Sequence, residues 1–288
     1  MIGKLTIDNH QIPRIRRVLW CLLVLAVGPC FAAPQVMVTP TRVVFDAKAR
    51  SAQVTIINTG DAVGTFRISL ANKRMTPEGT LQDAAEAQPG DQFASHLIRY
   101  SPRQVTLNPG QSQVVRLGLR RPSNLAAGEY RSHLLFQEVP HSQDNAVESA
   151  TERQQGITVN LRAIIGISIP VIVRHGATQA QVAFKQASYR AKPADSDKPY
   201  IEMELERSGN QSVYGEFIAE YIPVSGDRRI VAQVGGVAIY TPGTRRLVKL
   251  GLNMMPDAPL GQGTLEIIYR QPVDQGGAVL AHTQIKLP

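Results

Sequence analysis

The stretch ITVNLRAIIGISIPVIVR, residues 157–174, decides the fold class. Its odd positions are all apolar: Ile157, Val159, Leu161, Ala163, Ile165, Ile167, Ile169, Val171 and Val173. The even positions include Thr158, Asn160, Arg162, Gly166, Ser168 and Pro170. Alternation with period two places every second side chain on one face of a strand. At roughly 3.3 Å per residue the stretch would reach about 60 Å, several times an ordinary strand. One sandwich core has no use for an apolar ribbon of that length.

Outward from this ribbon the chain reads as all-β. Upstream, RVVFDAKARSAQVTIINTG (42–60) predicts a short strand and a longer one, with Val54, Ile56 and Asn58 on one face. GTFRISLANKRM (64–75) alternates Phe66, Ile68 and Leu70 against Arg67 and Ser69. A polar loop is expected over 75–91. LIRYSPRQVTLNPGQSQVVRLGL (97–119) reads as strand, Asn108-Pro109-Gly110 turn and strand. GEYRSHLLFQEVP (128–140) is a further strand, followed by a polar connection up to the ribbon. Beyond Arg174, HGATQAQ (175–181) reads as a hinge. After it come YIEMELERSGN, VYGEFIAEYIP, RIVAQVGGVAIYTPG, RRLVKLGLNM, GTLEIIYRQP and AVLAHTQIKLP, short strands with turns between them. This spacing predicts two β-sandwiches, over 33–174 and 178–288.

Residues 1–32 read as a secretory signal peptide. Arg14, Arg16 and Arg17 precede the apolar run Val18–Gly28, and Ala32 is a small residue at the expected cleavage point. The run is shorter than the ~20 residues a membrane span needs. Without this segment, Cys21 and Cys30 are gone, so neither a disulfide nor a thiol supports the fold. There remain 27 Lys/Arg and 22 Asp/Glu, a net charge of +5. That mild excess, with no basic stripe interleaved with aromatics, argues against nucleic acid.

Catalytic signals are missing from the sequence. His96, His133, His141, His175 and His282 are scattered, and no cysteine remains to complete a metal cluster with them. There is no GxSxG, HExxH or P-loop. GQGTLE (261–266) and DQGGA (274–278) read as turns. Neither an enzyme, a metal nor a cofactor is expected. The feature left over is the apolar ribbon. Long apolar edges aggregate unless they are used. Their physical use is β-augmentation, in which one protein supplies a strand that another lacks.

Three blocks carry a resemblance to the PapD-type periplasmic pilus-assembly chaperones. VTPTRVVFDAKARSAQVTIINTG (38–60) resembles that family's first two strands. YSPRQVTLNPGQSQVVRL (100–117) resembles its P…L-x-PG-x4-VR block, the most specific of the three. GEYRSHLLFQEVP (128–140), a polar loop and SIPVIVR (168–174) resemble its last two strands. The likeness covers most of 35–174 and only weakly the second domain, through GNQSVYGEF (209–217).

The resemblance implies two immunoglobulin-like domains in a boomerang arrangement. It implies an ATP-independent, non-enzymatic chaperone in the periplasm, whose partners are pilus subunits and an outer-membrane usher. The donor-strand side chains it implies are Leu161, Ala163 and Ile165, extended by Val159 and Ile157. Arg42 is placed as an anchor for the subunit's C-terminal carboxylate. The family's second anchor, a lysine, aligns with Pro170, leaving Arg131 or His133 on the neighbouring strand to stand in for it. Glu129, Arg174 and Asp257 align with an interdomain ion-pair trio. Pairing of two unloaded copies is one way to hide such a ribbon. The competing expectations are a pilus subunit, which would ordinarily carry a disulfide, and a secreted adhesin or binding module. A carbohydrate binder would want clustered aromatics, and these are only 6% of the chain.

Overall fold

The computed structural model describes residues 35–46, 48–140, 166–191, 198–253 and 260–288. The expected signal peptide, the donor positions 157–165 and Asp257 therefore lie outside the described residues.

The described chain is built of strands and one 3-10 turn, Val273–Gln275. The first half supplies β1 (Val36–Thr39), β2 (Val43–Phe45), β3 (Ser51–Asn58), β4 (Gly64–Ala71), β5 (Lys73–Met75) and β6 (Leu81–Asp83). These are followed by β7 (Ile98–Ser101), β8 (Gln104–Leu107), β9 (Ser112–Leu119), β10 (Gly128–Glu138) and β11 (Gly166–His175). The second half supplies β12 (Ala180–Arg190), β13 (Tyr200–Gly209), β14 (Val213–Pro223) and β15 (Arg229–Ile239). It ends with β16 (Arg245–Gly251), β17 (Gly263–Arg270) and β18 (Val279–Leu287).

The first half folds into one immunoglobulin-like sandwich, with sheets ordered β1-β3-β9-β7 and β2-β11-β10-β4-β8. The second folds into another, with sheets β12-β13-β16 and β15-β14-β17-β18. Each has its own core. Val54, Ile56, Phe66, Leu117, Leu134, Phe136, Val171 and Val173 pack in the first. Ile201, Leu205, Phe217, Leu265, Ile267 and Tyr269 pack in the second. In β11 the odd positions Ile169, Val171 and Val173 enter the first core, as period-two alternation requires.

Two elements depart from the expectation. The stretch expected to be a polar loop contains the hairpin β5–β6, with Lys73 opposite Asp83 and Met75 opposite Leu81. Its strands are three residues each, too short for any period to show in sequence. The stretch between HGATQAQ and YIEMELERSGN, where no strand is named from the sequence, forms most of β12. A bulge between Phe184 and Gln186 shifts its register, so Val182 and Phe184 share a core face with Ala187 and Tyr189. An extra residue of this kind breaks the alternation that marks a strand.

The hairpin also joins the sandwiches. Met75 and Leu81 pack on Ile172 of β11 and on Ala238 and Tyr240 of the second half. The Leu247 N–H donates to the Pro77 carbonyl at 2.7 Å.

Candidate functional site

The site is assembled on the face of β10 and β11 turned away from the first core. In β10, Tyr130, Leu134 and Phe136 point inward. Alternation turns Glu129, Arg131 and His133 the other way, yet all three are buried. A polar row this deep needs partners, because an unmet buried polar group costs about 1–3 kcal/mol.

Register fixes the neighbours in the row. His133 lies opposite Pro170 in the antiparallel β10–β11 pair. Val43 of β2 lies beside Val171 in the parallel β2–β11 pair. Continuing that register by one residue sets Arg42 beside Pro170. The pairing with β2 begins only at Val171, so residues 166–170 of β11 have a partner on the β10 side alone among the described residues. A proline leaves the β10 ladder whole if its nitrogen points to that open edge.

Arg42 reaches across to the second sandwich. Its guanidinium carbon is 4.6 Å from the Tyr214 ring centroid and 5.6 Å from that of Tyr240. Its Nη1 donates to the Tyr240 hydroxyl at 3.4 Å. Such cation–π contacts gain strength where water is excluded.

Arg131 is 4% exposed, with its guanidinium carbon 4.3 Å from the same Tyr240 ring. Nη2 donates to the Lys73 carbonyl at 3.0 Å and the Thr241 carbonyl at 3.5 Å. Nη1 lies 3.5 Å from His133 Nδ1. The His133 ring meets Tyr240 edge-on, with centroids 6.3 Å apart. Burial, reinforced by the charges of Arg131, Lys73 and Arg42, lowers the His133 pKa to about 3. His133 is therefore neutral at neutral pH and adds no charge to the site. Arg131 Nε and His133 Nε2 are buried donors without a partner among the described residues. Among the described residues no carboxylate forms a salt bridge with Arg42 or Arg131, although Glu129 and Asp91 act on Arg131 from a distance.

Glu129 links the sandwiches. Arg174 Nε donates to Glu129 Oε2 at 3.1 Å. The Ser212 N–H donates to Oε1 at 3.2 Å, and the Ser212 hydroxyl donates to the same oxygen. The Thr241 N–H in turn donates to Ser212 Oγ at 3.1 Å. Arg207 shapes the turn that presents Ser212, donating to the carbonyls of Gly209 at 2.9 Å and Gln211 at 2.8 Å. The residue from the second half that meets this carboxylate is Ser212; Asp257 lies outside the described residues.

The structure thus brings Arg42, Arg131 and His133 around one ring and joins Glu129 to Arg174. The donor positions Ile157, Val159, Leu161, Ala163 and Ile165 fall outside it. Sequence reading missed Tyr214, Tyr240, Lys73 and Ser212. No motif marks them: Tyr214, Tyr240 and Ser212 meet the first sandwich only through the packing of the two halves, and Lys73 acts through its backbone carbonyl. Among the described residues no group of three or more His, Cys, Asp or Glu could hold a metal ion.

Comparison with known proteins identifies the first half. The family model for pili and flagellar-assembly chaperones, PapD N-terminal domain, matches residues 35–174. A search of curated proteins found no match. Similar solved structures include the YadV chaperone, at 11% identity over 88% of this chain and 99% of that one, with a TM-score of 0.44. The CupB2 chaperone of Pseudomonas aeruginosa is similar at 13% identity over 87% and 98% of the two chains, with a TM-score of 0.42. The CsuC–CsuE chaperone–tip subunit complex of Acinetobacter baumannii is similar at 12% identity over 88% and 98%, with a TM-score of 0.41. Residues 35–174 are thus a PapD N-terminal domain of the pili and flagellar-assembly chaperone family.

Proposed function

We propose that this chain is a periplasmic chaperone that holds single pilus subunits by donating a strand and passes them to an outer-membrane usher. Residues 1–32 would be removed on export, and the domains would span 33–174 and 178–288. The observation that carries the reading is a matter of phase. Ile167, Ile169, Val171 and Val173 face the first core or pack against it. Ile157, Val159, Leu161, Ala163 and Ile165 continue the same parity in sequence upstream of Gly166, the first described residue of β11. A subunit that lacks a strand offers a groove for such side chains, and main-chain bonds hold the strand in place. The one-sided edge at residues 166–170 supports this reading.

Burying each Val-, Leu- or Ile-sized side chain contributes about 1.5–3 kcal/mol, so several give a durable hold, with Ala163 suited to a shallow pocket. Arg42 would anchor the subunit's terminal carboxylate through charge-assisted hydrogen bonds. The test is co-expression with candidate subunits followed by affinity capture. A soluble one-to-one complex is expected, lost with Leu161→Arg or Ile165→Arg. Retention of the subunit by both variants would refute the donor assignment.

A further inference from the structure

The geometry around Arg42 points to a second anchoring group, contributed by the other sandwich. Arg42 places its face on Tyr214, at 4.6 Å, and one arm on the Tyr240 hydroxyl, at 3.4 Å. The adjacent Pro170 offers no charge and no N–H. The direction of the Arg42–Tyr240 bond matters. The guanidinium can only donate, so the phenol oxygen accepts and its own proton still needs an acceptor. Among the described residues none receives it. Tyr240 is 7% exposed, so water is largely kept from it. Burial raises its pKa, against the opposing charges of Arg42 and Arg131, which keeps the phenol protonated at neutral pH.

The ligand that suits this spot is an acceptor with negative charge. Arg42 and Arg131 lie against the same ring, and Arg131 Nε and His133 Nε2 are further buried donors without partners among the described residues. An ionised carboxylate is acceptor-only and fits such a donor set. We propose that Tyr240 is a subunit-anchoring residue: its hydroxyl donates to the terminal carboxylate that Arg42 holds, so the second sandwich completes the site. This rests on the reading of the chain as a subunit-binding chaperone with Arg42 as anchor.

The test uses full-length chaperone and an N-terminally labelled peptide. The peptide has the C-terminal sequence of a pilus subunit captured with the chaperone, made once as free acid and once as amide. Fluorescence anisotropy gives the two affinities. Wild type should bind the acid at least about tenfold more tightly than the amide. Tyr240→Phe keeps the ring and removes the hydroxyl. It should weaken acid binding about tenfold, leave amide binding unchanged and melt at the wild-type temperature. Unchanged acid binding, or an equal loss for both peptides, would overturn the assignment. If Arg42→Ala abolishes the acid preference and Tyr240→Phe keeps it, Tyr240 is excluded and the Arg42 anchor stands. If wild type does not distinguish acid from amide, both fall.

Discussion

Replacing Glu129 by alanine should uncouple the two sandwiches. The carboxylate is fully buried and accepts from Arg174 Nε, the Ser212 N–H and the Ser212 hydroxyl. Removing it strands two donors of Ser212, itself 2% exposed. Each unmet buried donor costs about 1–3 kcal/mol. The Arg174 side chain is 27% exposed and can turn part of its guanidinium to water, so its share is smaller. The total should be about 3–5 kcal/mol, the usual size when one partner of a buried pair is removed. Guanidinium unfolding would measure that loss. Small-angle scattering would report a larger radius of gyration as the angle between the sandwiches broadens. Glu129→Gln keeps the shape and one acceptor and should lose less in both assays. An alanine variant within about 1 kcal/mol of wild type, with unchanged scattering, would refute the claim that this carboxylate ties the halves together.

Two further outcomes follow from burial. The pKa of His133 is held at about 3, below the ordinary 6.5, so the unfolded chain takes up a proton between these values and the folded chain does not. Stability should therefore be complete above about pH 6.5 and fall with pH towards 3, by about 2 kcal/mol at pH 5. Denaturation of wild type and His133→Gln at pH 7 and pH 5 would show it, since the variant lacks this component; equal pH dependence in the two proteins would contradict it. Phe217 is fully buried and stacks on Tyr269 with centroids 4.6 Å apart. Phe217→Ala should cost the second sandwich about 3–5 kcal/mol by thermal melting, and a loss under about 1 kcal/mol would place the ring outside that core.

Sequence reading succeeded where one face of a strand meets one core. Val54 and Ile56 in β3, Phe66 and Ile68 in β4, and Val171 and Val173 in β11 alternate cleanly because each strand is apolar on a single side. It failed where that condition lapses. The bulge at Phe184/Gln186 hides β12, and the three-residue strands of β5–β6 carry no period at all. In β10 and β11 it was half right. Ile172 has the wrong parity for the first core and serves the cluster with Ala238 and Tyr240 instead. Glu129 is expected in an ion pair and Arg131 or His133 as a stand-in anchor, but nothing in the order of the residues shows that all three are buried.

By itself, then, the sequence determined the all-β class, the strand content of the first sandwich and the family-bearing blocks around Arg42 and the Asn108-Pro109-Gly110 turn. These are local properties, set by period, turn chemistry and neighbours along the chain. The tertiary structure alone decided which residues complete the basic site. Arg42 and Tyr240 are 198 positions apart and meet at 3.4 Å. Glu129 meets Ser212 from 83 positions away. Both pairings depend on how two separately packed sandwiches dock through Ile172, Met75, Leu81 and Tyr240. That docking is a matter of surface shape and of satisfying buried polar groups, and neither leaves a periodic mark in the order of the amino acids.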